Sequence, residues 1–398
     1  MDNRIYADWA ATAPLCTEAA AAMAPFQQGG AGNIAVNANA NSLHSEGRAA
    51  FAAMEAARDE VARTIGARPD ELFFTSGATE SDNTAVWGIM SAVGAERRKG
   101  NPDFVPHLIT TSIEHDAIIQ PAHALPAYGA QVTFIDPDAN GYIDPQKVRD
   151  ALQPNTVLVS VMLANNEVGT IEPVAEIAQG AHEAGAFMHT DAVQAFGKIP
   201  VNVRDLGVDA LSVSGHKICG PKGIGALYLK KGTPCVPFLR GGGQESGFRS
   251  GTQNVPGMVG FAAAAKAACG TPEAILAEAS RQRALRDELY RGLLAHEGVV
   301  QSVPCAQGSV DFLPNIANVC VRGLESETMI LRFDREGVAL SGGSACSSHS
   351  LEPSRVLTRI GIPRDLALCS LRISIGRYTT EDDVRGVLAA FDRVVNWG

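Results

Sequence analysis

Short apolar runs rich in β-branched residues recur between residues 72 and 229, at Leu72–Thr75, Leu108–Thr111, Val132–Ile135, Val157–Leu163, Ala186–His189, Ala210–Ser214 and Gly225–Leu229. A continuous apolar run, as opposed to an alternating one, marks a strand covered on both faces. Helical spacing separates several of them. Val174–Ala184 carries such spacing ahead of Gly185, and Ala50, Met54, Ala57, Val61 and Ile65 form one stripe before the first run. Strands alternating with helices predict an α/β fold built on a mostly parallel sheet.

The pattern changes near residue 270. Thr271-Pro272 reads as an N-cap followed by a first-turn proline, opening a helix with Leu285, Leu289 and Leu293 on one face. A strand at Ile316–Val321, a helix around Glu325–Phe333, a Gly/Ser-rich loop at Ser341–Ser350, a strand at Ser370–Ile375 and a helix capped near Thr380 follow. These predict a smaller α/β unit after a large one spanning 15–270. The glycine-rich stretch Gly241–Gly251 reads as a loop, because apolar structure resumes directly after it. Internal repeats, low-complexity linkers and coiled-coil heptads are absent from the sequence.

Composition narrows the function class. The 398 residues are 45% apolar and 19% charged, as in a soluble globular enzyme. A net charge of −10 argues against a global attraction to nucleic acid or anionic membrane. No apolar run approaches the roughly 20 residues that span a bilayer. Met1-Asp2-Asn3-Arg4 lacks a signal peptide's basic-then-apolar layout, so a cytoplasmic protein is expected. The eight cysteines, Cys16, Cys219, Cys235, Cys269, Cys305, Cys320, Cys346 and Cys369, form no Cys-x-x-Cys pair and no zinc or disulfide spacing. In a reducing compartment most should be small buried hydrophobes.

The candidate chemistry collects at strand ends, where ligands of open α/β sheets bind. Lys217, in Ser214-Gly215-His216-Lys217, is placed to form a Schiff base with an aldehyde cofactor, with Ser214 and His216 as phosphate donors; the alternative is a solvated turn lysine. In Ser76-Gly77-Ala78-Thr79-Glu80 the free amides of a helix N-terminus favour phosphate, although an ordinary cap reads the same way. Asp191 in His189-Thr190-Asp191 could pair with a protonated pyridine nitrogen or cap the next helix, with Gln194 three residues on. His115 could stack on a flat ring and shuttle protons, or be structural. Asn165-Asn166-Glu167 is a polar cluster at another strand end, or a turn. Cys346 lies in the Gly/Ser loop, a poor setting for a core cysteine and a good one for a nucleophile. Arg372, inside an apolar strand, suits a substrate α-carboxylate or an internal salt bridge.

As an ordered set these motifs resemble the class V aminotransferases and, within them, the cysteine desulfurases of the nitrogenase and housekeeping iron–sulfur type. The resemblance runs from Ile5-Tyr6-Ala7-Asp8-Trp9-Ala10-Ala11-Thr12-Ala13-Pro14 to Arg377-Tyr378-Thr379-Thr380-Glu381, nearly the whole chain. It implies a fold-type I pyridoxal-phosphate enzyme, with a seven-stranded sheet sandwiched by helices, and a homodimer. It also implies that residues 1–14 join 271–398 in the small domain. By motif, Lys217 resembles the Schiff-base lysine and Asp191 the partner of the pyridine nitrogen. Gln194 would hold the phenolic oxygen and His115 would stack on the ring. Ala78, Thr79, Ser214 and His216 resemble the phosphate cradle, and Thr252 the phosphate ligand given by the other subunit. Asn166 would lie near substrate and cofactor, and Arg372 would take the carboxylate of L-cysteine. Cys346, in Ser-Ala-Cys-Ser-Ser, matches the persulfide-forming cysteine of the long-loop group. The expected products are L-alanine and a persulfide destined for a sulfur-acceptor protein such as an iron–sulfur scaffold. No resident metal is expected, transient cluster ligation at Cys346 aside.

Three departures stand out. Asn33-Ile34 replaces the usual Asn-Pro, Gly342 replaces a common serine, and the chain ends at Gly398 without the longer tail by which some relatives dock a scaffold. Two rival readings are a transaminase acting on a small amino acid, which leaves Cys346 without a task, and an idle assembly scaffold, which leaves Lys217 and Asp191 without one.

Overall fold

The computed structural model describes residues 4–28, 34–343 and 352–396. After a short N-terminal strand, β1 (Ile5–Tyr6), come β2 (Leu72–Thr75), β3 (His107–Thr111), β4 (Gln131–Ile135), β5 (Thr156–Ser160), β6 (Phe187–Asp191), β7 (Ala210–Ser214) and β8 (Gly225–Leu229). The last seven make one sheet in the order β2-β8-β7-β6-β5-β3-β4. All neighbours from β7 to β4 run parallel, while β8 is antiparallel to both β2 and β7. The expected mostly parallel, seven-stranded α/β sheet is therefore present.

Every residue of β3, β5, β7 and β8 is buried, which is why their sequences run apolar without alternation. One face packs Leu158, Ala210 and Leu227 under Ala85, Val86, Ile89 and Met90 of the helix Ala78–Gly100. The opposite face places Val159, Leu211 and Val213 in the larger core, with Ile177 and Phe261.

Two strand ends differ from the sequence expectation by more than one residue. β5 stops at Ser160, short of Leu163: the Met162 amide donates to the Glu114 carboxylate at 2.9 Å, while the Val161 and Leu163 amides still reach His189 O and Asp191 O of β6. β6 continues through His189 to Asp191, because its polar side chains find partners inside the sheet. His189 Nδ1 lies 2.9 Å from Ser160 Oγ, and Thr190 donates to Val161 O at 2.7 Å.

The second half adds β9 (Val299–Gln301), β10 (Ile316–Val321), β11 (Val338–Ala339) and β12 (Ser370–Ser374). The strands β12-β10-β9 form an antiparallel sheet, and β1 pairs in parallel with β11. The helix Pro272–Leu293 starts where Thr271 accepts from the Ala274 amide, and Glu381–Val395 starts at a capping box between Thr380 and Asp383.

The N-terminal segment crosses from the small sheet to the end of the large one. Its path depends on Gly376, where a Cβ would stand 2.1 Å from the Trp9 indole, so only glycine lets Trp9 lie there. Among the described residues, no helix is long and apolar enough to cross a membrane.

Candidate active site

The connection from β3 leads outward to β4, whereas that from β5 leads the other way to β6, so a crevice opens at the carboxyl ends between them. There the structure places a cavity of about 400 Å³. His115 follows β3, Asn166 follows β5, Asp191 ends β6 and Gln194 follows it, and Ser214 ends β7 with His216 and Lys217 after it. Ala78 and Thr79 enter from the first turn of the helix Ala78–Gly100, and Arg372 enters from β12. All of these line the cavity.

The amine of Lys217 donates to Ala10 O at 2.5 Å and Ala11 O at 2.8 Å. The N-terminal segment thus roofs the lysine and aims its head group. Opposite it, the first amides of the helix Ala78–Gly100 to bond back are those of Glu80 and Ser81, both to Gly77 O. The amides of Ala78 and Thr79 precede them and face the cavity end, as an anion site requires. A close backbone approach shapes this turn, since a Cβ at Gly225 would stand 2.8 Å from Gly77 Cα. His216 lies 3.1 Å from Thr12 Oγ1 through Nδ1; burial first, and then the charges of Lys217, Lys222 and Lys198, hold it down at about 4. It is a neutral ring at physiological pH.

Asp191 accepts from the Val193 amide at 2.9 Å. Burial raises its carboxyl above the usual range, while the attraction of His115 and Lys217 works against that rise. A cationic ring nitrogen would supply the counter-charge this carboxylate lacks. His115 caps the helix Asp116–Ala124 by accepting from the Ala117 amide through Nδ1 at 3.1 Å, so the proton of the neutral ring resides on Nε2. Gln194 donates to Ala10 O at 2.9 Å and leaves Oε1 as a buried acceptor without a partner among the described residues. To donate to a ring oxygen, its amide must release Ala10 or turn over.

Arg372 is almost wholly buried. Of the two alternatives raised by the sequence it makes the internal one, an ion pair to Asp8 at 3.1 Å, adds a bond to Asn166 O at 2.8 Å, and leaves Nε unpartnered among the described residues. The chemistry of the donor set fits pyridoxal 5′-phosphate: an amine for the aldehyde, a buried carboxylate for the ring nitrogen, and open amides and hydroxyls for the phosphate.

One expected residue lies elsewhere. Thr252 is exposed and does not line this cavity. Its loop is tied down by Arg249 on Glu80 at 2.8 and 3.1 Å and by Arg58 on Glu245 at 2.7 Å. Cys346 falls outside the described residues.

The sequence reading missed Asp82, which lines the cavity with both carboxylate oxygens buried and without a hydrogen-bond partner among the described residues. Burial and the neighbouring charge of Asp191 keep its carboxyl raised. The signal was available: Asp82 follows Ala78 by four residues, which puts both on one helical face. Lys222 and the backbone of residues 10–12 also line the cavity unforeseen.

Comparison with known proteins agrees with this geometry. The family model described as "Aminotransferase class-V" matches residues 5–387. A protein of Dictyoglomus turgidum named "Cysteine desulfurase IscS" is 42% identical over 395 residues, covering 99% of this chain and 95% of that one. One of the same name from Anaeromyxobacter dehalogenans is 44% identical over 394 residues, covering 98% and 92%. A solved structure titled "NIFS-LIKE PROTEIN" superposes with a TM-score of 0.87 at 34% identity, covering 99% of this chain and 100% of that one. Another, titled "SspA in complex with cysteine", gives 0.76 at 33% identity, covering 94% and 100%.

Proposed function

This chain belongs to the class-V aminotransferase family, and from that premise we propose that it is a pyridoxal-phosphate-dependent cysteine desulfurase, converting L-cysteine to L-alanine and a persulfide on Cys346. The observation that carries the reading is the convergence of Lys217, Asp191, the open amides of Ala78 and Thr79, and Arg372 on one cavity.

In this reading Lys217 holds the cofactor aldehyde, Asp191 the ring nitrogen and Gln194 the ring oxygen, with His115 against the ring face. Ala78, Thr79, Ser214 and His216 hold the phosphate, joined by Thr252 from a second copy of the chain in a homodimer. When bound, the cofactor serves as an electron sink for charge developing at the substrate α-carbon.

The chain's own residues do the rest. Arg372, braced by Asp8 and Asn166 O, offers its unpartnered Nε edge to the substrate carboxylate. Lys217, as a free amine, would take the α-proton on Nζ and later return it. His115, through Nε2, exchanges protons with the thiol groups. Cys346 attacks as thiolate, so that an S–S bond forms as the substrate's C–S bond breaks, and the bond pair stays with the carbon skeleton that leaves as alanine. Asn166 lines the cavity beside Arg372 and positions the substrate.

We extend the reading to a large domain of residues 15–270 and a small one of 1–14 with 271–398, to a cytoplasmic setting, and to delivery of sulfur to an acceptor protein such as an iron–sulfur scaffold.

The test follows from the division of labour. The purified protein should be yellow. Lys217→Ala should lose the near-visible band, whereas Cys346→Ser should keep the band and stop releasing sulfide. Labelled cysteine should leave its sulfur on Cys346, located by mass spectrometry. Sulfide release by Cys346→Ser at the wild-type rate overturns the assignment.

A further inference from the structure

A second cavity of about 210 Å³ adjoins the first, and Lys217 lines both. The walls of the second include Lys198, Gln282 and Asn315, whose Nζ, Oε1 and Oδ1 are buried and without hydrogen-bond partners among the described residues. One donor and two acceptors around a space of this size make a polar, water-holding compartment. Lys198 is 8% exposed, so the amine cannot reach bulk solvent by snorkelling. None of the functions assigned above uses it.

The groups facing Lys198 come from every side. Lys217, His216 and Cys219 come from the turn after β7, and Cys269 from the end of the helix Val255–Ala268. Glu278 comes from the helix Pro272–Leu293, and Arg377 from the exit of β12. Among the described residues no carboxylate forms an ion pair with Lys198; Glu278 is taken by Arg281 at 2.7 Å. Two amines therefore share a low-dielectric wall with no counter-ion for Lys198. Burial first, and then the charge of Lys217, lower Lys198 to about 7. The repulsion acts equally on both partners.

We propose that Lys198 is a positioning residue for Lys217, acting across the wall between the two cavities so that a proton on either amine opposes a proton on the other. Lys217 must be a free amine to take a proton and must then give it up. A neighbour that answers each change with the opposite one eases both steps at Lys217. Water in the second cavity gives Lys198 its route for exchanging protons. The idea rests on the proposed capture of an aldehyde by Lys217.

The experiment is a pH titration of the near-visible absorbance of the cofactor-loaded protein, a signal independent of turnover. Lys198→Met removes the neighbouring charge and should raise the midpoint by about one pH unit, a roughly tenfold gain in proton affinity. Lys198→Arg makes the charge permanent and should lower the midpoint. A mere packing defect would move both variants the same way. Should the methionine variant not fold, Lys198→Gln gives the same readout. Any result other than opposite shifts overturns the proposal. Borohydride reduction of the wild-type protein followed by peptide mapping separates the two failures. Label away from residue 217 sinks the aldehyde reading itself, whereas label on 217 with a midpoint indifferent to residue 198 sinks only this inference.

Discussion

Two buried ionic regions of this molecule are built on opposite plans. Around Arg58 and Glu245 every charge is answered. The guanidinium grips the carboxylate twice at 2.7 Å, donates to Leu72 O at 2.8 Å and covers the Phe74 ring, while Glu245 also accepts from the Phe74 amide at 2.9 Å. Around Lys217 the account stays open. Among the described residues, Asp82 has no hydrogen-bond partner for either oxygen, Gln194 none for Oε1, Arg372 none for Nε and Lys198 none for Nζ. Closed networks hold a fold in place; open ones mark where the fold sacrifices stability so that a ligand can complete the set. The closed pair also serves the open region, because Glu245 begins the loop that carries Arg249 to Glu80 and leads on to Thr252.

The largest expected effect breaks the closed side. Glu245→Ala leaves the buried Arg58 charge with only the more exposed Glu55 at 3.1 Å and removes the acceptor of the Phe74 amide, so it should cost about 3 kcal/mol. Urea unfolding of the purified variant measures this. A loss below about 1 kcal/mol would mean that the pair is solvated, and the contrast between the regions would fail.

On the open side the sign should reverse. Asp191 has its carboxyl raised by burial, so the stability it contributes is present below the ordinary carboxylate range and is lost as pH rises through the folded value. An asparagine in its place has nothing to ionise. Cofactor-free Asp191→Asn should therefore be more stable than the wild type at pH 7 to 8, with the gap closing toward pH 4. Its hold on pyridoxal 5′-phosphate should weaken by about 10–100-fold, the worth of one charged hydrogen bond. Thermal unfolding across that range, paired with equilibrium dialysis of the cofactor, checks both halves. A variant less stable than the wild type at pH 8 would show that Asp191 is a structural group after all.

Much of this contrast was legible in the sequence, and the part that was not has a physical cause. Lys217, Asp191 and His115 announce themselves because strand ends point chemistry at one edge of a parallel sheet, and apolar runs locate those ends. Arg372 was legible as a charge inside an apolar strand, but its grip on Asp8 was not, because a separation of 364 residues leaves no local trace. Lys198 escaped notice for a related reason. It looks like a turn lysine in Phe196-Gly197-Lys198-Ile199-Pro200, and only packing against Gln282, Asn315 and Lys217 reveals that it has no path to solvent. The extension of β6 beyond His189 to Asp191 was hidden because Thr190 and Asp191 are polar, and Thr190 is satisfied only by donating to Val161 O beyond the neighbouring strand.

The smallest expected effect sharpens the comparison at its border, in Glu114. This carboxyl is partly closed: Oε1 accepts from Thr111 Oγ1 at 2.7 Å and from the Met162 amide at 2.9 Å, while Oε2 is buried without a partner among the described residues. Burial pushes it up to about 8, against those two hydrogen bonds. The folded state therefore binds a proton that the unfolded chain releases at about 4.3. Its contribution to stability is whole below that lower value and is gone once pH has risen through about 8. Glu114→Gln mimics the protonated form, since its amide oxygen can accept both bonds. At pH 4 the variant and the wild type should unfold within about 0.5 kcal/mol of each other. At pH 8.5 the glutamine form should be the more stable, by a margin smaller than the loss in Glu245→Ala. Urea unfolding at the two pH values measures the difference in slope, which includes the repulsion between the Glu114 charge and its neighbours Asp82 and Asp191. Parallel slopes would mean that Glu114 is ionised throughout, with water reaching Oε2, and the open region would then begin deeper in the sheet, at Asp82.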